Sequence, residues 1–324
     1  MFDQILNTEY MKFSTVFYVV FLIVCLNSCD SKNKVSDEGS EYVWKKVSDS
    51  AEWSKSYNFQ MMNVRDTLWT LHPDGNWYTM DGIHWKKSTL TNVINNHAFL
   101  DYVSFDGAIY GLGNFNGNIE KYEFKPEIYK STDFKNWETI ATNSNLPERY
   151  FYHPFVYRNK IWIVGGEDKN NKYADIWNSE DGILWVQGRD NVPFGKRSDS
   201  QVVSLNNRLY LLNNDVWSSG DGLSWQRETE EILSGESVFG YKALVFDQKI
   251  WLLGCNRNGL FTNQVMYSSD GKNWKTQIAP WLPRGGVAAT VYKNKIYMTG
   301  GKFGGTPDHP EFRYDNDIWE MEKR

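Results

Sequence analysis

The chain is 324 residues long with a net charge of -5, and 16% of it is Phe, Trp or Tyr. That aromatic load suits strands and excludes a disordered chain, while the acidic balance leaves no basic footprint and argues against nucleic acid as a partner. Two average domains would fit this length, but all-β folds of this size are often one.

The first element in chain order is an address. Lys12 precedes an apolar run from Phe13 to Leu26, and Ser28-Cys29 follow. Such a run is short for crossing a bilayer and fits the core of a signal peptide. Asp3 and Glu9 are foreign to a basic leader, which makes Met11 an alternative start. Residues 1–28 are read as a signal peptide, with an uncleaved anchor as the other reading; either takes the remainder out of the cytoplasm. Residues 29–41, "CDSKNKVSDEGSE", are a polar tether without structure of its own. Cys25 falls in the leader and Cys29 at its end, so Cys255 stands alone and forms no internal disulfide. It reads as a small buried hydrophobe rather than a nucleophile.

From residue 42 onward two phrases alternate. One is an aliphatic residue followed by Trp or Tyr after a short apolar run and a polar turn: Leu68-Trp69, Ile109-Tyr110, Ile161-Trp162, Leu209-Tyr210, Ile250-Trp251 and Ile296-Tyr297. This is the signature of a β-hairpin. The other is a turn closing on Trp: "TMDGIHW" (79–85), "STDFKNW" (131–137), "SEDGILW" (179–185), "SGDGLSW" (219–225) and "SSDGKNW" (268–274). Each unit reads as four strands over 40 to 52 residues, which predicts an all-β propeller of four-stranded antiparallel blades. The sixth hairpin lacks a Trp turn, and "YVWKKVS" (42–48) supplies the missing strand, with Trp44 equivalent to Trp85, Trp137, Trp185, Trp225 and Trp274. The expectation is six blades in one domain, residues 42–324, the last closed by the N-terminal strand.

A carboxylate repeated five times is architecture. Asp81, Asp133, Asp181, Asp221 and Asp270 accept backbone N–H groups within their turns, and the glycine that follows tolerates positive φ, except after Asp133, where Phe134 stands. These turns resemble a shortened Asp-box of sialidase propellers. "IWIVGGEDKNNKYADIW" (161–177) and "IYMTGGKFGGTPDHPEFRYDNDIW" (296–319) resemble kelch repeats. That likeness covers nearly the whole chain after the leader, although only the third and sixth units keep both glycines. It implies a propeller like the central domain of galactose oxidase or N-acetylneuraminate epimerase, families that include enzymes and binding proteins alike. "LNSC" (26–29) resembles the lipobox of bacterial lipoproteins, which implies lipidation at Cys29.

Candidate site residues follow from the repeat. Counting thirteen back from each second-strand aromatic gives Ser56, His97, Arg149, Arg197, Val238 and Arg284. Kelch repeats often carry an arginine here that lines the pocket on the top face. Arg149, Arg197, Arg284 and His97 are therefore a candidate cationic ring for an anionic group, with Asp199 and Glu236 close by. The alternative is that the arginines tie loops to neighbouring blades. Long loops in units 2, 3, 5 and 6 predict a trough, with Phe115, Tyr122, Phe124 and Phe303 as edge aromatics. No catalytic residue, cofactor or metal is assigned, because copper, zinc and calcium spacings are absent.

The function expected is a lipid-anchored ligand-binding module in the envelope of a bacterium, periplasmic or surface-facing. It acts as a monomer, touches the membrane through its lipid alone, and holds carbohydrate or a protein partner in the top-face trough. The alternative is a carbohydrate isomerase or epimerase resembling N-acetylneuraminate epimerase and acting on an anionic sugar.

Overall fold

The computed structural model describes residues 41–324 except 58, 90–99, 113, 119–120, 126 and 143, with the backbone alone at 114–118 and 121–125. The leader, Cys29, His97 and the side chains of Phe115, Tyr122 and Phe124 lie outside the described residues. Strands and turns make up Tyr42–Arg324, which forms one compact unit, and no helix occurs among the described residues. The chain is an all-β propeller. Six four-stranded antiparallel sheets are found among the described residues.

Hairpin sequences dictate the inner half of each sheet. The innermost strands are Gln60–Val64, Asp101–Phe105, Phe155–Tyr157, Gln201–Leu205, Lys242–Phe246 and Ala288–Tyr292. Each runs through a two-residue turn into the strand bearing the aliphatic–aromatic phrase, as Asn206-Asn207 and Lys293-Asn294 do at φ between 45 and 59°. Positive φ at both residues matches the right-handed twist of the flanking strands. Innermost strands touch their neighbours in chain order, and Ala288–Tyr292 returns to Gln60–Val64, so the sheets close a ring.

The two repeated phrases prove to be halves of one contact. A Cβ on the turn glycine would strike the second-strand aromatic of the preceding sheet: Gly82 on Tyr297, Gly182 on Tyr110, Gly222 on Trp162 and Gly271 on Tyr210. In the second sheet Phe134 replaces the glycine at φ 61° and stacks on Trp69 at 4.3 Å. Each turn is built as expected. Asp270 Oδ1 accepts from the backbone N–H of Lys272 and Asn273, both at 2.8 Å, and Ser268 Oγ accepts from Gly271 N–H at 2.9 Å. Burial raises the Asp270 carboxyl, but the backbone N–H of Asn273, its side-chain amide and the backbone N–H of Lys272 outweigh it and hold the carboxyl at about 2.

Closure uses the same principle with different residues. Tyr42–Ser48 pairs antiparallel with Ile318–Lys323, Trp44 standing opposite Met321. The Tyr42 ring lies edge-on to fully buried Trp251 at 4.7 Å, the place a turn takes in the other sheets. Trp44 in turn meets Trp281 at 4.2 Å in the cluster shared by the fifth and sixth sheets. Cys255 is buried in the neighbouring cluster, where burial pushes its thiol up. Trp44→Ala removes a buried indole from the closing strand and should cost about 3–5 kcal/mol. Urea denaturation measures this; a loss below about 1 kcal/mol would show that closure contributes little.

Candidate functional site

At one end of the ring the loops leading into the innermost strands, together with the second-to-third-strand loops, surround a cavity of about 520 Å³. Pairing registers locate its collar. Nine residues before each second-strand aromatic stand Gln60, Asp101, His153, Gln201, Lys242 and Ala288, at the first residue of the innermost strands or, for His153, two residues ahead of it. The first five line the cavity. Two are partly occupied by the scaffold. Gln60 Oε1 accepts from Tyr102 N–H at 2.7 Å, and Gln201 bridges to the next strand through Ala243 N–H and the Tyr241 carbonyl.

The charged wall belongs to the second, third and fourth sheets. His153 is partly buried and lies between two carboxylates, 3.2 Å from Asp101 Oδ1 through Nδ1 and 2.9 Å from Asp199 Oδ1 through Nε2. Both nitrogens can donate only in the imidazolium form. Burial opposes that charge, but Asp101 and then Asp199 outweigh it and push the imidazole up to about 10. Phe151, His153 and Asp199 all hold positive φ, so both segments that bring His153 and Asp199 together are conformationally constrained. Glu167 accepts from Ser198 Oγ at 2.6 Å and faces Lys172 at 3.5 Å. Lys242 lines the same space half-buried, and burial lowers its amine while the Asp101 field opposes that shift.

The opposite wall is aromatic. Tyr57, Phe59, Phe239, Tyr241, Phe261 and Phe312 line it. Lys302 holds its ammonium over the rings of both Tyr57 and Phe312, at 4.8 and 4.7 Å. Phe303, expected at the edge, is half-buried in the Lys302–Phe303 and Arg313–Tyr314 pairing and does not line the cavity.

The cationic ring expected from the sequence does not form there. Arg149, Arg197 and Arg284 are absent from the cavity wall, and each grips an aspartate of its own sheet. Arg149 reaches Asp175 at 2.7 and 3.0 Å, Arg197 reaches Asp215 at 2.8 and 3.1 Å, and Arg284 reaches both Asp317 and Asp315. Trp177, Trp217 and Trp319 donate their indole N–H to the same three aspartates. Arg149 and Arg284 are 1% exposed, and a buried guanidinium needs such a partner. The signal was readable: Asp175-Ile176-Trp177, Asp215-Val216-Trp217 and Asp317-Ile318-Trp319 occur in the three repeats that carry the arginine. These residues lock top loops together. Glu236 likewise forks onto Arg257 at 2.6 Å twice, outside the cavity wall, which holds its carboxyl below the usual range. Of the six expected site residues Asp199 alone reaches the cavity wall among those described; His97 lies outside the described residues. No group of three or more His, Cys, Asp or Glu suited to a metal occurs among the described residues.

Comparison with known proteins agrees with the geometry at the level of fold. Residues 132–320 match the model of the DUF6242 beta propeller domain. The solved structure of YjhT superposes with a TM-score of 0.67 at 12% identity, covering 84% of this chain and 96% of that one. No curated protein matches by sequence.

Two outcomes follow from these contacts. Arg149→Met leaves Asp175 buried without its cation, which should cost about 3–5 kcal/mol of stability while ligand affinity of the folded protein is unchanged. Denaturation paired with a binding titration checks this, and lost affinity at full stability would return the arginine to the site. For His153 the folded value lies above the ordinary 6.5, so its stabilisation is complete below pH 6.5 and is lost as pH rises through about 10. Nitrogen-15 NMR should show a doubly protonated imidazole at pH 8; titration near 6.5 would contradict the paired geometry.

Proposed function

This chain belongs to the DUF6242 beta propeller domain family, and we propose that it is a carbohydrate-binding module whose ligand occupies the cavity at the mouth of the central channel. One observation carries the reading: polar groups including Lys242 and Asp199 share a cavity of about 520 Å³ with a wall of aromatic rings. Sugars have the matching character, with hydroxyl edges that need hydrogen bonds and C–H faces that lie on rings. The volume falls in the usual range for small-ligand sites. The six sheets are read as six kelch-type blades, and the pattern at residues 12–29 supports export and anchoring through lipid on Cys29.

A second reading has one observation in its favour. Lys242, its amine lowered by burial, shares the cavity with the carboxylate of Asp199, a pairing usable for proton transfer in an epimerase or isomerase of anionic sugars. Binding is preferred because Asp101 and Asp199 are both engaged on His153.

The test is a glycan array with the detergent-solubilised full chain, repeated for Lys242→Met and Asp199→Asn, beside NMR measurement of anomer exchange in the sugars bound. Binding to a defined subset, weakened about tenfold or more in either variant, is expected from loss of a charged hydrogen bond. Accelerated anomer exchange would favour the enzyme. A wild type silent in both assays overturns both readings.

A further inference from the structure

Phe239, Asn256 and Phe261 stand in one row across a small sheet that the propeller repeat does not require. Val238–Phe239 pairs with Asn256–Arg257, which pairs with Leu260–Phe261; Phe239 lies opposite Asn256, and Asn256 opposite Phe261. Residues directly opposite in antiparallel strands project to the same face, and all three line the cavity. The alternate residues go elsewhere: Val238 is buried in the core, and Arg257 holds Glu236.

We infer that this row is a stacking subsite for the C–H face of a pyranose ring, which deepens the carbohydrate reading above and rests on it. Phe239 is 51% exposed although its ring is large and apolar, and it faces a concave space rather than open solvent. Phe261 is fixed in place: a Cβ on Gly285 would stand 2.6 Å from its Cε1, so that glycine is the seat of the ring. Phe312, also 51% exposed, is seated on Gly305 in the same way and meets Phe261 edge-on at 6.5 Å. Rings held before the ligand arrives spare the ordering cost of binding. The two phenyl groups of the row are two strand spacings apart, about 10 Å, with the amide low between them. Asn256 is 7% exposed and its Oδ1 has no protein partner, so an unmet acceptor lies on the floor. Rotation about χ2, a soft torsion in Asn, turns it toward a ligand hydroxyl. An acyl chain offers nothing to the Lys242 ammonium that lines the same cavity, whereas a sugar meets it with a hydroxyl.

The experiment titrates the full chain with methyl glycosides of glucose, galactose, N-acetylglucosamine and glucuronic acid, following saturation transfer to the sugar protons. Transfer should be strongest to ring C–H protons. Phe239→Ala should weaken the preferred glycoside about tenfold, since stacking on an aromatic ring is worth roughly that factor. Phe239→Trp should restore it, and because the side chain is exposed, neither change should move the melting temperature. Gly285→Ala, whose Cβ would press on Phe261, should weaken binding by displacing that ring while leaving the side chains of the row unchanged in kind. If Phe239→Ala binds as wild type while Lys242→Met does not, the cavity remains a sugar site and the stacking row is wrong. A wild type that binds none of the four glycosides and no glycan on the array overturns the row together with the reading it rests on.

Discussion

The structure depends on one contact repeated round the ring: the aromatic residue of a second strand under the Asp-containing turn of the next sheet. Each half supplies what the other lacks. The turn needs its Asp and Ser or Thr to satisfy N–H groups, and the ring needs a partner without a β-carbon to reach the backbone. Each aromatic side chain buried this way removes a large apolar surface from water, worth roughly 1.5–3 kcal/mol for a phenyl-sized group. Because every sheet both gives and receives, the contact propagates strain or order around the circle. Where the chain ends, Tyr42 takes the turn's place over Trp251, so the N-terminal strand completes the packing as well as the hydrogen bonding.

A scaffold of this kind separates stations that tolerate variation from stations that do not. The turn station changes little; Phe134 enters it only by stacking on the ring it covers. The arginine station varies as a set, with the guanidinium, the aspartate two residues before the third-strand Trp and that indole present together in three sheets. The collar station varies most. Gln, Asp, His, Gln, Lys and Ala occupy one geometric position, which a packing role would have kept uniform. Divergence confined to the mouth of the channel is what a binding surface on a repetitive frame produces.

Much of this was legible beforehand. Hairpin signatures, the Trp turns and the completing strand at 42–48 fixed the all-β architecture, because period, turn chemistry and packing agreed at every repeat. The site was less legible for a geometric reason. Counting thirteen back from the second-strand aromatic reaches the loop, where a long side chain tucks under toward its own sheet; counting nine back reaches the strand start, where the pleat faces the channel. Arg149 was visible as a charge, but its direction was set by Asp175, 26 residues away. Phe239, Asn256 and Phe261 escaped notice because their three short strands lie inside loops without periodicity.

The cavity's two walls differ in how they are held, and that difference bears on what the site does. His153 is clamped by Asp101 from the second sheet and Asp199 from the approach to the fourth, so its charge is spent on joining three sheets. Three of the facing rings, Phe59, Phe261 and Phe312, are seated on glycines, and the Lys302 ammonium lies over Tyr57 and Phe312. Lys242 sits in the same collar without an ion pair among the described residues, its amine lowered by burial. Such a partly exposed ammonium keeps contact with water and can exchange it for a ligand hydroxyl. The frame therefore presents a hydrogen-bond donor and an apolar surface within a single space. A ligand with a polar edge and an apolar face meets both requirements at once.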